Sequence, residues 1–207
     1  MQKLIAILFS VVLVGSIPFA FAISDRDAKL EFAGTLEETL GHFWALELNL
    51  DKKNAELAVV HATHPIAELY DTMSSHLQDN PEFDAKLQNT LLELKTSAST
   101  DVSREDAQKA IDDATLIIEE ARSMIIGDEL SQDNDFKMQL INQLLETAKV
   151  EYKEAVDDGV IEEMAEFQDG SAFVWRSQQV FGEFSDEIEL VDYERINKYY
   201  EMFWHGF

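Results

Sequence analysis

The chain contains no cysteine among its 207 residues. Disulfide bonds, thiolate metal sites, iron–sulfur clusters and cysteine nucleophiles are therefore all excluded. A chain of this length can bury a sizeable core without a covalent staple. Any metal site that it contains must be built without thiolate ligands.

Glycine and proline are scarce, at eight and three residues. The chain has no glycine-rich phosphate loop, no G-x-S-x-G and no H-E-x-x-H, so phosphate binding, serine hydrolysis and zinc proteolysis lack their motifs. A carboxylate pair for glycoside hydrolysis remains open among 41 acidic residues, although no feature selects a pair. We expect a protein that is not an enzyme.

Basic residues are also few: the chain has 16 lysines and arginines against 41 acidic residues, which gives a net charge of −25. A nucleic acid needs clustered positive charge to release its counterions, so the sequence argues against nucleic-acid binding. An anionic lipid surface would repel the chain for the same reason. Cations are the species that it attracts, although an acidic surface also serves solubility alone.

Long apolar runs are absent except at the start of the chain. Lys3, the apolar run from Leu4 to Val14 and the Ala20-Phe21-Ala22 site predict a signal peptide over residues 1–22. The mature protein would start near Ile23 and lie outside the cytoplasmic membrane, secreted, periplasmic or at the cell surface, without stable lipid insertion. The alternative is that the segment stays uncleaved as an anchor.

Apolar residues recur at steps of three and four through the rest of the chain, which predicts an all-α fold. Short connections favour an up-and-down antiparallel bundle of about seven helices after the signal peptide. The bundle domain would span residues 23–207, with 23–127 and 135–207 as candidate sub-bundles. No strand is predicted. The expected helices cover about 25–49, 52–78, 81–94, 104–126, 136–158, 160–182 and 186–204. Asp51, Asn80 followed by Pro81, and Ser103 are expected to cap the second, third and fourth of them.

The second predicted helix carries the segment HATHPIAELYD, from His61 to Asp71. His61, His64 and Glu68 lie three, four and seven residues apart, so they share one helix face. Pro65 is expected to kink the helix between the two histidines, because its ring crowds the carbonyl of His61. The face can serve as a metal site, or the histidines can be ordinary hydrogen-bonded side chains.

A second acidic face is predicted on the sixth helix, where Glu162, Glu166 and Asp169 align. Helical bundles that bind iron or manganese place carboxylates and histidines on facing helices in this way. Their Glu-x-x-His motif is missing, which argues against a ferritin-like di-iron site. A solvated helix face is the simpler interpretation of these acids.

The segments HATHPIAELYD and YKEAVDDGVIEEMAEFQDGSAFV together resemble a known domain. They are similar to the helical extracytoplasmic domain that accompanies oxidase-dependent, Ftr-type iron permeases. The resemblance covers roughly Asp25 to Phe181, with Phe167 where that family has tyrosine. It implies iron handling beside a permease, although this chain has no permease helices and no transport signature. The residues that match by position are His61, His64, Glu68, Glu166 and Asp169.

The sequence therefore leaves two candidate functions. In the first, the bundle binds a metal ion, iron first and copper second, and presents it to a membrane permease. In the second, the kinked helix and the aromatic C-terminal segment dock the protein to an envelope or membrane complex, with no metal role. Convergence of the five matched residues in one cleft would favour the first function, and scattering over the surface would favour the second.

Overall fold

A computed structural model of the protein describes residues 25–98 and 102–206. The predicted signal peptide lies outside these residues. The all-α prediction is confirmed, and the described part contains nine α-helical segments rather than about seven. They are α1 Asp25–Asp51, α2 Ala55–His64, α3 Tyr70–Ser75, α4 Pro81–Ser97, α5 Arg104–Ile125, α6 Gly127–Ser131, α7 Asn134–Ala155, α8 Met164–Gly182 and α9 Leu190–Gly206.

Helix α1 lies at the centre of the packing and contacts α2, α5, α7 and α8. Its apolar side chains point in several directions, and a helix that is buried nearly all round is expected at the core of a bundle. Polar residues on this helix are buried too. The central position of α1 therefore brings any functional polar group that it carries within reach of several neighbouring helices. Its buried polar residues are Thr35, Glu37, Thr39, His42 and Asn49.

Helix starts follow the capping signals of the sequence in most cases. The Asn80 side chain accepts a hydrogen bond from the Phe83 amide, with Pro81 at the first helical position, as predicted. Ser103 caps α5 through the Asp106 amide. The predicted cap at Asp51 is wrong: that residue still belongs to α1, and Asn54 caps α2 by accepting from the Leu57 amide.

The predicted kink between His61 and His64 is also wrong. Helix α2 is regular through His64, and the irregularity follows as a π-helical turn over Pro65–Leu69 that leads into α3. Proline lacks the amide hydrogen of the regular ladder, and one wider turn accommodates that loss. Both histidines therefore stay on one undistorted helical face.

A small antiparallel hairpin, β1 Val156–Asp157 and β2 Val160–Ile161, connects α7 to α8. The prediction that the chain has no strand is wrong here. Asp158 and Gly159 both have positive φ, at 49° and 80°, which is the geometry of a two-residue hairpin turn. Helix α7 thus ends at Ala155, and α8 begins at Met164.

The helices pack chiefly as the pairs α7 with α8, α1 with α2, α1 with α8, and α4 with α5. The chain after α8 forms a 3-10 turn at Ser185–Glu187 before α9. No helix in residues 25–98 and 102–206 is long and apolar enough to cross a membrane. The division into sub-bundles 23–127 and 135–207 stays a prediction, although α1 contacts both sets of helices.

Candidate metal centre

Four polar side chains from three helices meet inside the bundle: His42 of α1, His61 and His64 of α2, and Asp169 of α8. Each offers one ligand atom, and these atoms all lie within 4.8 Å of one another. His42, His61 and Asp169 are buried, whereas the His64 side chain keeps 13% of its surface exposed. We call these four residues the histidine cluster.

The carboxylate of Asp169 lies among the three imidazole rings. Its Oδ1 is 2.8 Å from Nδ1 of His42 and 3.0 Å from Nδ1 of His61. Its Oδ2 is 3.0 Å from Nδ1 of His64. The three rings therefore all direct the same type of nitrogen, Nδ1, toward one carboxylate.

The contact of His42 differs from the other two. Although its Nδ1 lies 2.8 Å from Asp169, the contact is not aligned as a hydrogen bond, and this buried nitrogen has no hydrogen-bond partner. Buried polar atoms are nearly always satisfied, so each exception in a native structure needs a reason. A cation bound within the histidine cluster would supply that reason.

Two glycines beside the cluster allow the helices to approach closely. A Cβ on Gly41 would lie 2.9 Å from the ring of Phe173, which packs edge-on against His42. A Cβ on Gly170 would lie 3.1 Å from the carbonyl oxygen of Ala148 on α7. The two glycines therefore let α8 pack closely against both α1 and α7. This close packing helps to bring His42 and Asp169 together.

The π turn after His64 determines where Glu68 lies. Its carboxylate is 3.8 Å from Nε2 of His64, on the opposite side of that ring from Asp169, and 59% of its side chain is exposed. Single π turns occur frequently at functional sites, because they displace side chains from the regular helical positions. Glu68 thus borders the histidine cluster from the solvent side without joining it.

Glu166 also lies beside the cluster rather than in it. The protonated carboxyl of Glu151, on α7, donates a hydrogen bond to Glu166. Burial raises the pKa of Glu151 to about 8, and this hydrogen bond and the negative charges of Asp169, Glu166 and Glu154 add to the rise. The two acids therefore share one proton between α7 and α8.

Charge interactions within the cluster keep Asp169 ionised. Burial alone would raise the pKa of this carboxyl, but the charge of His42 and the hydrogen bonds from His61 and His64 outweigh it and hold the pKa well below its usual range. Burial would likewise lower the pKa of His64, yet its hydrogen bond to Asp169 and the charges of Asp169, Glu68 and Glu166 raise it. An ionised carboxylate is the form that binds metal.

Three imidazoles and one carboxylate suit iron, copper or zinc, and they are a poor set for magnesium or calcium, which prefer oxygen ligands. The unpartnered nitrogen of His42 and the ionised state of Asp169 both fit a bound cation. The residues present therefore fit a transition-metal ion. When bound, such an ion would be held by His42, His61, His64 and Asp169.

The structure brings together three of the five residues matched in the sequence, His61, His64 and Asp169. Glu68 and Glu166 lie at the border of the cluster, and whether any of the five binds metal stays a prediction. Sequence reasoning missed His42. The available signal was its place on the apolar face of α1, next to a glycine, where a histidine must find a buried partner.

Part of the chain matches a known protein family. Residues 127–203 match the family model described as the iron permease-associated 4-helix bundle domain. The predicted resemblance is thereby confirmed for these residues. No curated protein and no solved structure matches the chain.

The matched segment covers less than half of the chain and extends from α6 into α9. It includes Asp169 and Glu166, and it excludes α1 and α2 with all three histidines of the cluster. The carboxylate of the cluster therefore lies within the segment that matches a domain described as iron permease-associated. The imidazoles come from the part of the chain outside the match.

Proposed function

We propose that this chain is an exported acidic helical protein that binds a metal ion, iron first and copper second, for a membrane transport partner. The convergence of His42, His61, His64 and Asp169 within 4.8 Å carries this proposal. The family match of residues 127–203 supports iron as the cargo, because the matched domain is described as iron permease-associated. The net charge of −25 supports attraction of cations to the surface.

The side chains supply binding and not catalysis in this proposal. Asp169 contributes a negatively charged oxygen ligand, and three neutral imidazoles each contribute a nitrogen atom whose lone pair binds the metal ion. Burial of His42, His61 and Asp169 excludes water from most of the site and strengthens the attraction between ion and carboxylate. His64, the most exposed of the four, lies where an ion would first make contact.

Metal titration of the purified protein tests the proposal. Metal-free protein is titrated with ferrous iron, copper and zinc by calorimetry, and protein isolated from its host is analysed for bound elements. We expect one ion per chain with iron or copper. Substoichiometric binding of every metal would overturn the proposal.

The five histidines of the chain provide a matched comparison. The double variant His61→Ala/His64→Ala should lose most of the affinity. The double variant His76→Ala/His205→Ala removes the two histidines outside the cluster and should bind as the original protein does. Equal binding by both variants would show that the cluster is not the site.

The extracytoplasmic location is part of the same proposal and is supported by the signal-peptide pattern of residues 1–22. Protein purified from its host should start at or near Ile23. Recovery of the intact N-terminus from a membrane fraction would indicate an anchor instead.

Docking to an envelope or membrane complex without a metal role is the alternative function, and α9 carries the observation that favours it. Leu190, Val191, Tyr199 and Met202 on this helix are each more than half exposed. Exposed apolar side chains on one helix can form a partner surface. If docking is the function, cross-linking in host cells should capture a permease or envelope partner with the original protein and not with Tyr199→Arg. Titration of the purified original protein with metals should then show no binding.

A further inference from the structure

On the far side of His61 from Asp169, a chain of amide groups leads to the backbone of α1. Nε2 of His61 lies 2.7 Å from Oε1 of Gln168, on α8. The same oxygen accepts a hydrogen bond from Nδ2 of Asn49, on α1, at 2.7 Å. Nδ2 of Asn49 also donates to the carbonyl oxygen of Ala45 at 2.8 Å.

The backbone carbonyl at the end of this chain determines the direction of every hydrogen bond in it. The Ala45 oxygen can only accept, so the atom of Asn49 that faces it must be the nitrogen. That nitrogen carries two hydrogens, and its second hydrogen points to Gln168. The facing atom of Gln168 must then be its oxygen, which can also accept a hydrogen from His61.

The opposite amide orientations fail at defined contacts. A reversed Asn49 would place its oxygen against the carbonyl oxygen of Ala45. A reversed Gln168 would place two N–H donors against each other at 2.7 Å, since Asn49 is held by Ala45. Amide orientations are assigned from such networks, and only one assignment satisfies all three contacts.

We propose that Gln168, oriented by Asn49, is a positioning residue that keeps a proton on Nε2 of His61 and leaves Nδ1 as the atom that His61 offers to a metal ion. The proton on Nε2 is inferred from the hydrogen bonds alone. The statement about the ligand atom rests on the proposed function. Nδ1 is also the nitrogen that lies 3.0 Å from Oδ1 of Asp169, so a hydrogen on it is donated to that carboxylate in the metal-free protein and is released when a metal ion binds there.

The surroundings make this arrangement rigid. Asn49 and His61 are almost completely buried, so water does not compete for their hydrogen bonds. Oδ1 of Asn49 is buried without a hydrogen-bond partner, so the two hydrogen bonds that hold this side chain both come from its nitrogen. Partners that hold the second nitrogen of a metal-binding histidine fix the ring and typically change metal affinity 10–100-fold when they are removed.

The first experiment measures where the proton is, without any metal. Nitrogen-15 NMR of metal-free protein at about pH 7, close to the ordinary range of imidazole, distinguishes a protonated from an unprotonated Nε2 in His61. We expect a hydrogen on Nε2 in the original protein. A bare Nε2 with the hydrogen only on Nδ1 overturns the proposal, whether or not the protein binds metal.

Substitutions of Gln168 separate a positioning role from a packing role. Gln168→Met keeps the size of the side chain and removes the acceptor, so the Nε2 hydrogen signal of His61 should be weakened or lost. Gln168→Glu keeps an acceptor oxygen and should restore the signal. The matched control is Gln178→Met, which removes an equivalent acceptor on the same helix, that of the Trp204 ring N–H.

Titration with zinc, a diamagnetic ion that suits imidazole, then tests the ligand atom. We expect Nδ1 of His61 to be bound and Nε2 to keep its hydrogen. Affinity should fall about 10–100-fold in Gln168→Met and stay within a few-fold in Gln168→Glu and Gln178→Met. Zinc bound through Nε2, or equal affinity in all variants, overturns the proposal. No zinc, iron or copper binding by any protein, with the Nε2 hydrogen present, overturns the proposed function and leaves the protonation inference standing.

Discussion

The carboxyl group of Glu151 on α7 donates a hydrogen bond to the carboxylate of Glu166 on α8, directly beside the histidine cluster. Two acids can share a hydrogen bond only while one of them keeps its proton. Burial and the neighbouring charges of Glu166, Asp169 and Glu154 raise the pKa of Glu151 from 4.5 to about 8. Helices α7 and α8 are therefore linked by a hydrogen bond between two carboxyl groups, one of which is protonated.

Glu151→Gln is expected to make the protein more stable than the original at pH 8 and not at pH 4.5. A carboxyl whose pKa is raised on folding stabilises the fold below its unfolded pKa, and this stabilisation is lost as pH rises through the folded pKa. The relevant window is thus pH 4.5 to about 8. Urea unfolding across this window measures the effect.

The control for this prediction is Glu146→Gln on the same helix. A hydrogen bond and charge from Lys149 lower the pKa of exposed Glu146, which is the opposite direction. Its replacement should give no gain at pH 8. A Glu151→Gln variant with an unchanged pH profile would show that Glu151 is not protonated in the folded protein.

Metal affinity is expected to fall with acid, because imidazole binds a metal only after losing its proton. The fall should be roughly tenfold per pH unit for each proton displaced. It should begin above the usual imidazole range, since contact with Asp169 raises the pKa of His64 against the effect of burial. His64→Ala should flatten the upper part of the curve, whereas His205→Ala should not. Flat binding from about pH 5 to 8, the range that spans the imidazole pKa, would remove the histidines from the site.

The sequence predicted part of this site because helical spacing is a local property. His61 and His64 share a face by periodicity alone, and Asp169 was identified within a segment that resembles an iron permease-associated domain. Residue spacing cannot show which helix packs against that face. His42 reaches the cluster only because Gly41 lets α1 approach Phe173 of α8, and this contact is a product of tertiary packing.

The errors in the fold prediction have similar physical causes. Asp158-Gly159 is a recognised hairpin signal, but its two strands have only two residues each and show no periodicity. Pro65 was expected to bend the helix before itself, and the chain instead takes one wide turn after His64. The helix caps at Asn80 and Ser103 were predicted correctly. In each of them the side chain bonds an amide only three residues later, so all the residues that form the cap lie within four positions of the sequence.

Glu37→Gln is expected to destabilise the protein by about 3–5 kcal/mol. Glu37 is 2% exposed and forms ion pairs with both Arg122 of α5 and Arg176 of α8. Removing its charge leaves two largely buried guanidinium groups without their shared carboxylate. Glu120→Gln is the matched control, because it breaks an exposed ion pair with Lys86 and should cost at most about 1 kcal/mol. Equal losses in urea unfolding would contradict the role of burial.

Gly41→Ala is expected to lower both stability and metal affinity. The new Cβ would meet the Phe173 ring at 2.9 Å, and overpacking of this kind costs about 1–3 kcal/mol. The gain in helix propensity, about 1 kcal/mol, offsets part of it. Gly182→Ala adds the same methyl group at the end of α8 where nothing lies within 4 Å, so it should be neutral or slightly stabilising. A Gly41→Ala protein with full stability and full affinity would show that α1 can shift without moving His42.

Ending the chain at Lys198 is expected to lower the melting temperature strongly, because the aromatic segment mainly closes the bundle. Tyr200 is buried and donates a hydrogen bond to Ser177, and the Trp204 ring donates to Gln178. Each large apolar side chain removed from the core costs about 1.5–3 kcal/mol.

Tyr199 is 66% exposed, so Tyr199→Ser alone should leave the melting temperature unchanged and isolates any contact with a partner. Phe207, the last residue of the aromatic C-terminal segment that was predicted to dock to a partner, lies outside the described residues. Unchanged melting of the shortened chain, together with loss of an associated membrane partner, would instead make the segment a docking surface.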